Sequence, residues 1–235
     1  MIDSEGTKEI AKAVQEVAKT TQSAIEVTRD AGGFIGRYLD GPLMQMSLLI
    51  EDRLKYARTI RILRLRNKLE EELKTLSPDA AIKPLPVNFA MSALEEGSFE
   101  EDDSLQDIWA RLLANAIDAE SDVTPRRAHI SMIRDMSHLD ALIFEAIYSV
   151  PESKQWAVIT HELPHNAYLA NEQTSKNSPQ PSEDIKISLS NLERLGLIAF
   201  GVSWGGAEVF EYANPTTAGK ELMKAIKRRI PLSAS

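Results

Sequence analysis

From Met46 to Leu76 apolar side chains recur every three or four positions, a spacing that predicts a long helix with one buried stripe. Met46, Leu49, Tyr56, Ile60 and Leu63 form one line, and Ile62, Leu65, Leu69, Leu73 and Leu76 continue it. Pro42, after Asp40 and Gly41, suits a first helical position, and Ser77-Pro78-Asp79 stops the run, so the helix is predicted over 42–76. Such a stripe needs partners, because an isolated helix is marginal in water.

The partners are legible downstream. A weaker helical pattern covers residues 4–30, with Ile10, Val14, Val17 and Ile25 on one side. Pro84 and Pro86 open a connector, and Val87 to Leu94 reads as a helix. Leu105, Ile108, Trp109, Leu112, Leu113, Ala116 and Ile117 share the face of another. Thr124-Pro125 starts a helix with Ile130, Ile133 and Met136 inward, and Ser137 caps one from Leu139 to Val150. After this the pattern changes. Residues 156–160 have strand propensity, residues 171–184 read as a loop, and Ile185 to Leu195 is a helix stopped by Gly196. Two short strands, 197–203 and 207–212, flank Trp204-Gly205-Gly206, and a last helix carries Leu222, Met223 and Ile226. A helix ended by glycine, a two-stranded ribbon and a closing helix look like a winged helix. The predicted fold is therefore mainly α, with an N-terminal helical bundle over 1–136 and a C-terminal winged-helix-like α+β domain over 137–231.

Composition excludes several chemistries. The 235 residues include no cysteine, which removes disulfides, thiol nucleophiles and Cys-based zinc sites. Apolar runs such as Leu48-Leu49-Ile50 fall far short of the roughly 20 residues that cross a bilayer. Met1 to Glu5 starts acidic without a signal pattern, and the expected location is the cytoplasm. The net charge is −8, and no segment is strongly basic. A winged helix suggests DNA, but the candidate recognition helix offers only Lys186 and Arg194 against Glu183, Asp184 and Glu193, so DNA is disfavoured. The cations Lys220, Lys224, Lys227, Arg228 and Arg229 near the C-terminus suit a helix dipole as well as they suit phosphate.

Charge is unevenly placed. Arg53, Lys55, Arg58, Arg61, Arg64, Arg66 and Lys68 follow one another without an intervening acid. Glu95, Glu96, Glu100, Glu101, Asp102, Asp103 and Asp107 supply a matching number of carboxylates. The two sets are expected to face one another, within a chain or between two chains, and to set register more than stability. The basic amphipathic helix also admits peripheral contact with a membrane surface, although a solvated face explains it more simply.

Motifs for catalysis are weak. His161-Glu162-Leu163-Pro164-His165 fits H-E-x-x-H, but that zinc chemistry needs both imidazoles on one helical face. Pro164 removes a backbone donor within the required turn, so a loop is expected instead. Gly32-Gly33-x-x-Gly36 follows a predicted helix and lacks the Lys-Ser/Thr of a phosphate loop. No catalytic residue, cofactor or metal site is expected.

Residues 32–136 carry a family resemblance. Its most specific parts are the Gly41-Pro42 start, Asp52 and Arg53 on the long helix, and the Pro84-x-Pro86 connector. To these are added Leu105-x-x-Ile108-Trp109-Ala110-x-Leu112-Leu113-Ala114 and Met136-Ser137-His138-Leu139-Asp140-Ala141. With Leu195-Gly196-Leu197-Ile198 and Thr216-Thr217-x-Gly219, these strings resemble the abortive infection alpha family. His138 departs from the pattern, in which proline is more typical. The resemblance implies a non-enzymatic protein of phage defence, acting through a protein partner or a homo-oligomer. The candidate interaction or motif residues are Gly41, Pro42, Asp52, Arg53, Arg61, Arg64, Trp109, Leu112, Gly196 and Gly219.

Overall fold

The computed structural model describes residues 52–75, 81–151, 157–171, 178–202 and 208–228. Seven helices and three strands lie among them: α1 (Asp52–Lys74), α2 (Val87–Phe99), α3 (Asp103–Ile117), α4 (Arg127–Arg134), α5 (His138–Ser149), β1 (Val158–Ile159), α6 (Glu183–Arg194), β2 (Ile198–Val202), β3 (Glu208–Pro215) and α7 (Thr217–Ile226). The chain is thus mainly helical, with a small antiparallel sheet near its C-terminus in the order β1-β3-β2. The expected helix over 4–30, and residues 42–51 and 76 of the helix expected over 42–76, lie outside the described residues.

Helix α3 is the centre. Leu105, Ile108, Trp109, Leu112, Leu113, Ala116 and Ile117 are all buried, and so are Gln106, Ala110, Ala114 and Asn115 on its other sides. A helix buried nearly all round must be surrounded, and α1, α2, α4, α5 and α7 supply its neighbours. Asp102 caps it by accepting hydrogen bonds from the N–H groups of Ser104 and Leu105.

The long helix α1 buries Ile62, Leu65, Leu69 and Leu73. Ile60, expected on the buried line, is 40% exposed instead. The stripe of a straight helix with 3.6 residues per turn cannot hold both lines against one neighbour, and the line ending in Leu73 won. Helix α4 starts at Arg127, later than Thr124-Pro125 suggested. Ser137 caps α5 as expected, in a reciprocal box with Asp140.

Gly196, with φ +73°, ends α6. The Leu197 N–H reaches the Leu192 carbonyl at 2.9 Å and the Gly196 N–H reaches Glu193 at 2.7 Å, which is a Schellman arrangement. Leu192 and Leu197 are both fully buried beside it. The chain therefore turns directly from α6 into β2, which pairs with β3 through a register shift between Ala199 and Gly201. β1 closes the other edge of β3, pairing Val158 with Ala213 and Ile159 with Tyr212. Helix α7 then returns from the sheet to pack on α3 and α5.

Candidate functional site

The cationic side of α1 faces the α2–α3 turn within one chain. Arg61 pairs with Glu101, Arg64 lies 3.7 Å from Asp103, and Lys68 contacts Asp103 at 3.1 Å and also Asp107. Burial works to lower the Lys68 pKa, but the hydrogen bonds and charges of Asp107 and Asp103 outweigh it and hold it above the ordinary value. Arg66 turns instead to Glu70 on its own helix, at 3.0 Å. Asp103 and Glu101 remain largely exposed, at 69% and 77%, so each pair contributes only about 0–1 kcal/mol.

Reversing one charge tests this seam. Arg61→Glu is expected to lower stability by about 1 kcal/mol, less in high salt, and Glu101→Arg in the same chain to restore most of it. Because the pair closes within one chain, light scattering should show the same particle size for both variants. A change in size would place the seam between chains.

Arg58 differs from its neighbours. It is 6% exposed, donates through Nε to Ser98 Oγ at 3.2 Å, and stacks 4.2 Å from the Phe99 ring centre. A carboxylate partner is replaced here by a hydroxyl and an aromatic face. Two amides that the sequence did not single out are equally buried. Gln106 Nε2 donates to the carbonyls of Arg61, Gly97 and Glu100, and so joins the middle of α1 to the end of α2 and the start of α3. Asn115 Nδ2 donates to the carbonyls of Ala225 at 2.9 Å and Lys227 at 3.1 Å, closing the C-terminus of α7. Their signal is an uncharged amide beside the apolar positions of α3, where burial demands hydrogen bonds.

The two C-terminal glycines serve one joint. Tyr148 Oη donates to the Leu197 carbonyl at 2.6 Å and accepts from the Thr216 N–H at 3.0 Å. Thr216 Oγ1 donates to the Gly196 carbonyl at 2.6 Å and accepts from the Gly219 N–H at 3.0 Å. This joint fixes α5, the start of β2 and the start of α7 together, with Gly219 at its closest approach.

His138 also has partners. Its Nδ1 lies 3.1 Å from Asp102 Oδ2 and 2.8 Å from Ser104 Oγ, which ties the start of α5 to the cap of α3. Burial works to raise the Asp102 pKa, but hydrogen bonds from Ser104, the Leu105 N–H and His138 outweigh it and hold the pKa at about 2. His129 is 3% exposed, and its pKa is lowered by burial first and by Arg126 second, with Glu221 pulling the other way.

These shifts set a pH profile. The unfolded chain protonates His129 near 6.5 while the folded chain keeps it neutral, so this contribution is full above pH 6.5 and fades as pH falls through the lowered folded value. The Asp102 contribution is full above pH 3.8 and fades as pH falls toward about 2. Thermal melts are expected to decline on acidification below 6.5, and His129→Gln should flatten the first part of that decline only. An unchanged profile in the variant would assign the decline elsewhere.

The H-E-x-x-H string lies in a turn over 161–165, not in a helix. Glu162 accepts from Asn166 Nδ2 at 2.6 Å and lies 3.4 Å from His161 Nε2. Leu163 is buried beneath the turn, and His165 is exposed. Among the described residues, no three His, Asp or Glu side chains gather as metal ligands. No helix among them is long and apolar enough to cross a membrane.

Trp109 and Leu112 are core residues of α3, 1% and 0% exposed. Arg61 and Arg64 line the charged seam, and Gly196 and Gly219 build the joint. Asp52 opens α1 and Arg53 follows it, while Gly41 and Pro42 lie outside the described residues.

By fold, this is a mainly helical protein with a small antiparallel sheet near its C-terminus. The sequence model described as abortive infection alpha matches residues 57–233. The chain belongs to the abortive infection alpha family. No curated protein and no solved structure matches it.

Proposed function

We propose that this chain is a non-enzymatic interaction protein of phage defence, acting through a protein partner or through self-association. The family match over 57–233 carries this reading. The disposition of the motif side chains supports it: Arg61, Arg64, Trp109, Leu112, Gly196 and Gly219 build a scaffold, which leaves chemistry to whatever the scaffold engages. The turn that holds His161, Glu162 and His165 is unlike the helix a zinc protease needs.

The test is expression in a phage-sensitive bacterium. Fewer plaques, with infected cells dying before they release virus, are expected, and alanine at His161, Glu162 and His165 together should leave protection intact. Plaque numbers equal to those of an empty vector would remove the defence reading. Loss of protection in the triple variant would move the chain to the hydrolases.

A winged-helix assignment for the C-terminal part belongs to the same proposal. Its support is the order β1-β3-β2, with α5 ahead of β1 and α6 leading through Gly196 into β2. The cations of α6 are committed within the chain, Lys186 to Glu183 at 2.9 Å and Arg194 to Asn191 and Asp135. That helix is therefore read as a packing element and not as a groove reader. Arg61, Arg64, Arg66 and Lys68 of α1 face protein acids, which likewise disfavours a membrane surface as their partner.

A further inference from the structure

A further group of exposed cations has no internal acid. Among the described residues, no carboxylate pairs with Arg126, Arg127, Lys227 or Arg228, and all four are exposed. Arg126 and Arg127 begin α4, while Lys227 and Arg228 follow α7. The loop before α4 meets α7: Lys224 of α7 reaches Asp122 at 3.0 Å there, and both Arg126, at the start of α4, and Glu221, on α7, act on His129. Asn115, buried in α3, holds the Ala225 and Lys227 carbonyls and so fixes where the last two cations stand.

Helix stability does not account for this corner. Lys227 and Arg228 suit the negative end of α7, but Arg126 and Arg127 sit at the positive end of α4, where cations are unfavourable. Among the described residues, no side chain caps that end. In a chain of net charge −8, unpaired cations from two separate elements on one corner call for an anionic partner.

We propose that the α4–α7 corner binds the phosphodiester backbone of nucleic acid without reading sequence. The alternatives fit less well. The exposed large apolar residues among those described are Ile60, Val87, Phe99, Leu142 and Ile187, and none lies on α4 or α7. A membrane-surface element inserts apolar side chains beside its cations, and a protein interface is centred on apolar or aromatic anchors. Phosphate contacts need neither, because cations and released counterions supply the affinity. The contact is independent of the protein-partner reading and bypasses α6, the helix that a winged-helix analogy would place in the groove.

The test is fluorescence anisotropy of the full chain with a labelled duplex of arbitrary sequence. Four phosphate contacts predict a log–log salt slope of about −3.6, which weakens binding about fiftyfold for a threefold rise in salt. Arg126→Glu with Arg127→Glu, and separately Lys227→Glu with Arg228→Glu, should each weaken binding at least about tenfold while leaving the circular-dichroism melt cooperative. Lys186→Glu with Arg194→Glu should change it by less than about twofold. The proposal fails if the wild-type chain does not bind at low salt, or if both corner variants bind as it does. It fails equally if the α6 variant loses as much as they do, or if anionic phosphatidylserine vesicles are bound more tightly than the duplex.

Discussion

Replacing Gly219 by alanine is expected to destabilise the protein by about 3 kcal/mol, read as a lower urea midpoint at unchanged slope. A Cβ at this position would lie 1.8 Å from Tyr148 Oη and 2.4 Å from the Leu197 carbonyl oxygen. Neither neighbour can yield cheaply. Tyr148 Oη is engaged with the Leu197 carbonyl and the Thr216 N–H, and Leu197 is fixed by the turn that ends α6. Moving the ring would give up two hydrogen bonds at about 1 kcal/mol each, and moving α7 would disturb its packing on α3. In a Tyr148→Ala background the same substitution should cost about 1–2 kcal/mol less, because one of its two obstacles has gone. Strict additivity of the two changes would show that they do not meet.

Gly196 offers the contrasting case. Nothing lies within 4 Å of a Cβ built there, so its requirement is conformational: φ is +73°, and an L side chain would be strained by about 1–2 kcal/mol. This difference explains what the sequence disclosed. A glycine that ends a helix has a local signature, the Leu192, Leu195 and Leu197 pattern around it, and its role was legible. Gly219 is needed because a tyrosine 71 positions earlier passes over it, and no local pattern announces that.

The same division holds elsewhere. Helices α3, α5 and α6 were legible because apolar period, caps and stops agree, as at Ser137 with Asp140. The facing of the α1 cations and the acids near 100 was legible as charge matching, but closure within one chain was not, since composition is the same for a partner chain. Ile60 was misplaced because two overlapping apolar lines fit the same helix, and only the neighbours select one. Gln106, Asn115 and Tyr148 act through carbonyls far along the chain, and backbone acceptors carry no sequence mark. The corner formed by α4 and α7 was dispersed for the same reason: Arg126 and Lys227 are distant in sequence, and their elements are linked through the Lys224–Asp122 pair as α7 returns to α3.

Trp109→Ala should be the other costly change, at about 3–5 kcal/mol, a large share of the roughly 5–15 kcal/mol that holds a typical domain together. The side chain is 1% exposed at the middle of the bundle, and α2 passes so close that a Cβ on Gly97 would stand 3.2 Å from the indole. Ring volume, and not the indole N–H, is what the site uses, because Nε1 has no hydrogen-bond partner among the described residues. Trp109→Phe keeps most of that volume and loses no hydrogen bond, so it should cost only about 1 kcal/mol. Leu112→Ala, fully buried on the same helix, should fall between the two at about 2–4 kcal/mol. Protection against phage should follow this order, retained in Trp109→Phe and lost in Trp109→Ala, if these residues act by holding the scaffold. A Trp109→Phe chain that melts like the wild type but no longer protects would mean that a partner recognises the indole itself, and the residue would then belong to an interface that opens and not to a permanent core.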